Sequence, residues 1–390
     1  MISGELFLWI TSILSLGAWI YLWCCRAGFW RADQRLDDPS DVANGSDTDL
    51  PTIAAIVPAR DEADVIAESV GSLLAQDYRG RFSVILVDDN SSDGTAETAE
   101  QIAAELGMPH RLQVISGKPL EDGWTGKMWA VHQGLEAATE TETDYYLLTD
   151  ADIRHDPANL GQLVAKAEND GLDLVSLMVR LNCRSIWDWL LVPAFVFFFQ
   201  KLFPFPAVND PDSKTAAAAG GCMLVRRIAM EKIEGVSAIK SAVIDDCALA
   251  RALKVNGPIW LGLTESTESL RAYNRLGEIW RMVARSAYAQ LNYSVFALIG
   301  TVIGMALVYL APPLVMQLAL LWDATLPVLI AGFTWSLMAA LAAPTFRLYG
   351  LASVYGLLLP IAGLVFLLMT LDSARRHWFS KGSAWKGRTY

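Results

Sequence analysis

The sequence predicts an α/β domain built on a mostly parallel twisted sheet with helices on both faces, bracketed by transmembrane helices at the N- and C-terminal ends. Three observations carry that expectation. Long charge-free runs stand near the two ends of the 390-residue chain. Between them, short runs rich in Val and Ile alternate with helical patterns, the signature of a sheet covered on both sides. The chain is 53% hydrophobic with a mean hydropathy of +0.31, enough for one sizeable core and several spans.

From Glu5 to Arg26 no charge interrupts the run, and Trp9, Trp19 and Trp23 lie within it. About 20 apolar residues suffice to cross a bilayer as a helix. A signal peptide fits less well, because no basic segment precedes the run and no small-residue cleavage site follows. Residues 27–51 read as an acidic linker, with turn formers throughout DQRLDDPSDVANGSDTDLP. Residues 52–290 read as the water-facing domain. Strands are expected near 52–57, 82–88, 111–115, 144–149 and 173–179, and helices near 64–75, 95–106, 126–138 and 158–169.

Inside that domain the segment 186–206 stands out: its stretch WLLVPAFVFFF is too short to span a membrane. It suits either a buried core helix or a helix in the membrane interface, where Trp187 and Trp189 would meet lipid. Residues 291–372 hold three further apolar runs, Tyr293 to Trp322, Ala324 to Phe346 and Leu348 to Leu371, and residues 373–390 form a basic tail. Arg26, Arg31 and Arg35 after the first span, with Arg271, Arg275, Arg281 and Arg285 before the second, place the middle domain in the cytoplasm by the positive-inside rule. The tail asks for the same side, which three late spans would deny it unless one is re-entrant.

A net charge of -11 argues against a nucleic-acid partner, since phosphate backbones require clustered Lys and Arg. Cys24, Cys25, Cys183, Cys222 and Cys247 show no metal-ligand spacing and read as reduced thiols.

In such a sheet ligands bind beyond the C-terminal strand ends, and the chemically unusual residues cluster there. The second strand stops at Asp88 and Asp89 in VILVDDNSSDGT; a helix cap would need only Ser92 or Asp93, whereas a carboxylate there can also accept hydrogen bonds from a nucleoside. The fourth strand ends at Asp150-Ala151-Asp152, a chance triplet in many proteins. Here it sits where the chain turns, so that both carboxylates can converge on Mg2+ or Mn2+. In GWTGKMWAVHQG, Lys127 opens a helix and is either solvated or set to meet donor phosphates, while His132 and Gln133 read as structural. Gly220 and Gly221 in GGCMLVRR form either a plain turn or a close approach that leaves room for sugar or acceptor. Asp245 and Asp246 open another helix, where the macrodipole alone favours acids; one of them is also a candidate general base.

Taken in order, IAAIVPARDEADVI, VDDNSSDGT, GWTGK, TDAD, GGCMLVRR and IDDCAL resemble family 2 glycosyltransferases of GT-A fold over roughly residues 50–290. The resemblance implies that Pro58, Ala59, Asp61 and Glu62 border the nucleotide pocket and that Asp89, beside Asp88, contacts base or ribose. It makes Asp150 and Asp152 the diphosphate and metal motif, and Asp246, with neighbour Asp245, the catalytic base of an inverting displacement. In IWRMVARSAYAQL, Arg285 matches the arginine of the processive relatives' Gln-x-x-Arg-Trp, but Met282 and Ser286 replace the Gln and Trp. That departure favours transfer of a single sugar.

The layout is most similar to the hopanoid-biosynthesis-associated glycosyltransferases. This implies a nucleotide-sugar donor, UDP-linked as the first expectation, a lipid acceptor, and a bacterial-type inner membrane. A nucleotidyltransferase releasing pyrophosphate and a non-catalytic membrane scaffold remain the rival readings.

Overall fold

The computed structural model of the protein describes residues 2–36, 50–139, 142–273, 275–379, 384–385 and 388–389. Most of the expected acidic linker (37–49) and most of the basic tail beyond Phe379 lie outside the described residues. The chain runs α1 (Ile2–Cys25), β1 (Ile53–Ala59), α2 (Ile66–Leu74), β2 (Phe82–Asp88), α3 (Thr95–Glu105), β3 (Leu112–Ser116), α4 (Gly126–Ala138) and β4 (Tyr145–Thr149). Then follow β5 (Ile153–Arg154), α5 (Asn159–Asn169), β6 (Leu174–Arg180), α6 (Ile186–Leu202), α7 (Phe205–Asn209), β7 (Cys222–Arg226), α8 (Arg227–Lys232), α9 (Asp245–Lys254) and β8 (Ile259–Ser269). Last come α10 (Leu276–Ser286), α11 (Val295–Met305), a π-helical turn (Ala306–Leu310), α12 (Ala311–Leu321), α13 (Thr325–Leu348) and α14 (Leu359–Phe379).

These elements form two compact units. A sheet unit comprises 33–182, 207–272 and 384–390, and a helical unit comprises 1–32, 183–206 and 273–383.

In the sheet unit the strand order is β3-β2-β1-β4-β7-β6-β8-β5. Four pairings, β1 with β2, β1 with β4, β2 with β3 and β6 with β8, are parallel. The sheet is nonetheless mixed, because β7 runs antiparallel between β4 and β6 and β5 runs antiparallel beside β8. Every residue of β1 and β4 is buried, as expected of strands covered on both faces. From β1 the chain builds outward through β2 to β3, then returns to place β4 on the other side of β1. That reversal opens a crevice beyond the carboxyl ends of β1 and β4, the place where sheets of this type bind ligands.

Among the described residues, the helical unit holds four helices long and apolar enough to cross a membrane: Gly4–Cys25, Val295–Leu321, Thr325–Leu348 and Ser353–Phe379. The apolar run that the sequence starts at Leu348 begins later, because α13 closes there in a Schellman turn. Gly350 has φ +71, and the N–H groups of Gly350 and Leu351 donate to Arg347 and Phe346.

Pro312 and Pro313 supply no N–H, so Val308 loses both the donor four residues on and the one five on. The Ala311 N–H bonds back to Ala306, which leaves Leu307 facing Pro312. Both stranded carbonyls are answered from α1: Ser15 Oγ donates to Leu307 at 2.9 Å and Trp19 Nε1 to Val308 at 2.8 Å. In an apolar medium such a pair is what makes a proline-broken helix tolerable. The helix α6 belongs to this unit. It starts in a capping box between Ser185 and Asp188 and buries Leu191, Ala194 and Phe197 against Trp19, Phe29, Met338 and Phe346.

Candidate active site

The loops after β1 and β2 are stitched together by side chains reaching backbone. Asp61 Oδ1 accepts from the Ser92 N–H at 2.9 Å, and the Asp61 N–H donates to Ser91 Oγ at 2.9 Å. The Glu62 N–H donates to Thr95 Oγ1 at 2.9 Å, and the Ala63 N–H to Asp93 Oδ2 at 3.0 Å. Asp61 holds φ +49, a conformation that L residues adopt at a cost and that a short polar side chain eases. The SSDGT turn after β2 therefore shapes the PARDEA loop after β1. Asp89 is buried, its N–H donates to Ala59, and the Arg60 guanidinium donates to its carbonyl at 2.6 Å.

At the end of β4 the acids of the Asp-Ala-Asp triplet part company. Asp150 Oδ1 lies 2.8 Å from Lys127 Nζ, and Asp152 Oδ2 lies 2.7 Å from Arg271 Nε. Arg271 also reaches both oxygens of Glu62 at 2.9 Å, so one guanidinium joins the loop after β1 to the turn after β4. Asp150 and Asp152 thus each face a cation, Lys127 and Arg271 respectively, and both cations are shared with a second acid.

Lys127 is set in the first turn of α4, whose N-cap Thr125 accepts from the Met128 N–H. Its ammonium also lies 3.0 Å from Asp245 Oδ2. That oxygen is buried, and the ammonium is the charge it faces. Next to it, Asp246 Oδ2 accepts the Gly220 N–H at 3.0 Å and Asp246 Oδ1 accepts the Cys247 N–H at 2.7 Å. A side chain at position 220 would stand 3.4 Å from Lys127 Nζ and 3.6 Å from Asp246, so the glycine keeps this corner open. Pro58, Lys127, Asp150, Gly220 and Asp245 line a cleft whose apolar wall is Val131, Met223, Val236, Ile239 and Leu249.

Burial, followed by the neighbouring charge of Asp245, pushes the Asp246 carboxyl up to about 6, against the pull of Lys127 and its two backbone donors. Burial opposes charge on Lys127, but Asp150 and Asp245 outweigh it and hold the ammonium well above the usual lysine range. Burial alone pushes His155 down to about 3. This neutral ring lies 3.0 Å from Thr149 Oγ1, which itself donates to the Gly221 carbonyl at 2.8 Å. The strand end carrying Asp150 is thereby pinned to the glycine pair.

Of the residues singled out by sequence, the sheet unit brings Pro58, Lys127, Asp150, Asp245, Asp246 and Gly220 to one cleft. Ala59, Asp61, Glu62, Asp88 and Asp89 form its β1 and β2 rim, and Asp88 Oδ1 accepts the Ser91 N–H at 3.2 Å. Gly221 packs tightly: an added Cβ would meet Val179 at 3.0 Å. Trp187, Trp189 and Arg285 belong to the helical unit, the tryptophans half-exposed on α6 and Arg285 exposed on α10. Gln133 is structural, accepting the Lys118 N–H at 2.7 Å, and His132 stacks on Trp124 and Trp129.

Arg60, Thr149, His155 and the clamping role of Arg271 escape a reading of the sequence. The partners of Arg271 lie 119 and 209 residues away along the chain.

Residues 54–234 match the family model described as Glycosyl transferase family 2. Among curated proteins, the undecaprenyl-phosphate 4-deoxy-4-formamido-L-arabinose transferase of Aeromonas hydrophila is 26% identical over 145 residues, 36% of this chain and 41% of the relative. The transferase of the same name from Enterobacter sp. (strain 638) is 29% identical over 141 residues, 35% of this chain and 38% of the relative. The chain thus spans about two-fifths of the length of these relatives. Among solved structures, the mannosyltransferase PcManGT from Pyrobaculum calidifontis, in complex with GDP-Man and Mn2+, superposes with a TM-score of 0.56 at 18% identity. The match covers 93% of this chain and 98% of that one, and it shows a shared fold.

Proposed function

We propose that this protein is an integral membrane glycosyltransferase that moves a single sugar, with inversion, from a nucleotide diphosphate sugar to a membrane lipid. The observation that carries the reading is the Asp246 carboxylate. It is oriented by two backbone N–H groups and raised to about 6 by burial and Asp245, in a cleft at the carboxyl ends of β1 and β4. A base tuned near neutral pH suits removal of a proton from an acceptor hydroxyl. As that proton passes to Asp246, the acceptor oxygen bonds to the anomeric carbon and the bond to the donor diphosphate breaks, the diphosphate leaving with its electron pair. Gly220, Gly221, Trp187 and Trp189 are assigned to the acceptor. Pro58, Ala59, Asp61, Glu62, Asp88, Asp89 and Arg285 are assigned to the donor nucleotide.

A divalent cation fits the acidic corner. Asp150 and Asp245 direct oxygens at one point, and the Asp245 oxygen is buried. Among the described residues no three metal-ligating side chains gather. That suits Mg2+ or Mn2+, which keep waters and take phosphate oxygens in place of a full protein cage. Asp150 and Asp152 would hold the ion, which when bound neutralises charge on the departing diphosphate. Lys127 adds a positive charge at the same place. The mannosyltransferase that shares the fold binds Mn2+ with GDP-Man, which supports the metal and leaves a GDP-linked donor beside the expected UDP-linked one.

The acceptor is read as a hopanoid or other isoprenoid lipid. The names of the two curated relatives favour a second reading, an isoprenoid phosphate. The sheet unit is assigned to the cytoplasmic side of a bacterial-type inner membrane, following the arginines that flank the spans. Incubating the protein in membranes with a panel of nucleotide sugars, and following nucleoside diphosphate release and lipid masses, tests the reading. Release of pyrophosphate instead would mean nucleotidyl transfer, and no turnover with any donor would favour a scaffold.

A further inference from the structure

The acids expected to hold a divalent ion are already paired, and the two cations that pair with them differ in kind. Arg271 holds Asp152 Oδ2 and both Glu62 oxygens through a planar, stiff fork, a contact that uses one of the two Asp152 oxygens. Lys127 is a point charge on a flexible stem, 2.8 Å from Asp150 and 3.0 Å from Asp245. Those two carboxylates come from a strand end and a helix start, so the ammonium sits where oxygen ligands from separate elements meet. One ammonium thus serves two carboxylates, and the Asp245 oxygen it faces is buried. The pocket is open enough for exchange, since 37% of the Asp150 side chain is exposed.

We propose that Lys127 is an internal counter-ion that holds the place of the divalent cation in the resting protein, so that ion binding and the Lys127–Asp150 contact exclude one another. The proposal rests on the divalent-ion part of the function proposed above. A small hard cation and an ammonium compete for the same carboxylate oxygens, and their repulsion at such short range forces the lysine off Asp150. The displaced ammonium stays tethered beside the ion, where a diphosphate brings new negative charge. The site thus keeps one positive charge among its acids at rest and gains a divalent one when the donor brings further negative charge.

The test is Mn2+ binding to the full-length protein in nanodiscs without nucleotide, read from the electron paramagnetic resonance of free Mn2+. Lys127→Gln should bind Mn2+ at least about tenfold tighter than wild type, and Lys127→Arg, which keeps the charge, no tighter. Equal or weaker binding by Lys127→Gln overturns the proposal, as does a gain in Lys127→Arg, which decides the matter alone if the glutamine variant does not fold. Wild-type protein that binds Mn2+ with no change in Lys127→Gln sinks only the counter-ion role. Wild-type protein that binds no Mn2+, yet transfers sugar in a chelator, refutes the divalent-ion reading as well.

Discussion

The N–H of Gly220 donates to Asp246 Oδ2 at 3.0 Å, joining the turn before β7 to the first turn of α9 across the mouth of the cleft. That contact aims the carboxylate whose ionisation the proposed chemistry needs.

Asp246→Asn keeps one oxygen, so it can accept from only one of the Gly220 and Cys247 N–H groups, and it has no basicity. Transfer to a hydroxyl acceptor should fall by about 10²- to 10⁴-fold. A lipid phosphate needs no such base, so a small effect would point to that acceptor. Steady-state rates with folded variant protein decide.

The raised carboxyl of Asp246 sets a pH limb and a stability cost. Activity should fall as pH drops through about 6, where Asp246 takes up its proton. For stability the sign is opposite to that of a stabilised carboxylate. The folded state resists ionisation, so the cost is present above about 6 and gone below the unfolded value of about 3.9. The melting temperature of Asp246→Asn relative to wild type should therefore rise between pH 4 and pH 8 in a chelator. His155, pushed down to about 3, stays neutral and contributes nothing to that limb.

Removing the Arg271 guanidinium strands Glu62 and Asp152 beside each other. Arg271→Met should lower the melting temperature modestly, since the arginine is 37% exposed and water screens the pair. It should lower transfer much more, by disordering both cleft loops. Arg271→Lys should rescue stability better than rate, because one ammonium cannot span both acids. Equal rescue of the two would show that the clamp is only structural.

Trp19→Phe should cost about 1–3 kcal/mol, the price of an orphaned buried carbonyl. Pro312→Ala restores an N–H for Val308, so the same substitution should cost less in that background. Thermal unfolding of the four proteins in one detergent checks this, and an unchanged cost would show that Trp19 acts by packing alone.

Strand and helix periodicity makes the stretch from β1 to β6 readable in the sequence apart from the two-residue β5, with boundaries within about two residues. The strand β8 is not readable: IWLGLTESTES mixes glycine, acid and hydroxyl residues, and it extends through its pairing with β6. The antiparallel β7 shows only as a strand after two glycines, since direction within a sheet is a tertiary property. Asp150, Asp245 and Asp246 are visible as acids at element ends. Which cation each acid meets depends on α4 and on the turn after β8, and Arg271 carries no local pattern that names its distant partners. The prolines at 312 and 313 are plain in the sequence; that Ser15 and Trp19 answer them is visible only in the packed helices.

The most direct measurement is product analysis of the full-length protein in membranes, supplied with nucleotide sugars and Mn2+, beside Asp246→Asn and a chelated control. The account predicts a lipid heavier by one sugar, stoichiometric nucleoside diphosphate, and loss of both in the two controls. A lipid product formed at the wild-type rate by Asp246→Asn and in the chelator, or release of pyrophosphate in place of the diphosphate, would contradict it.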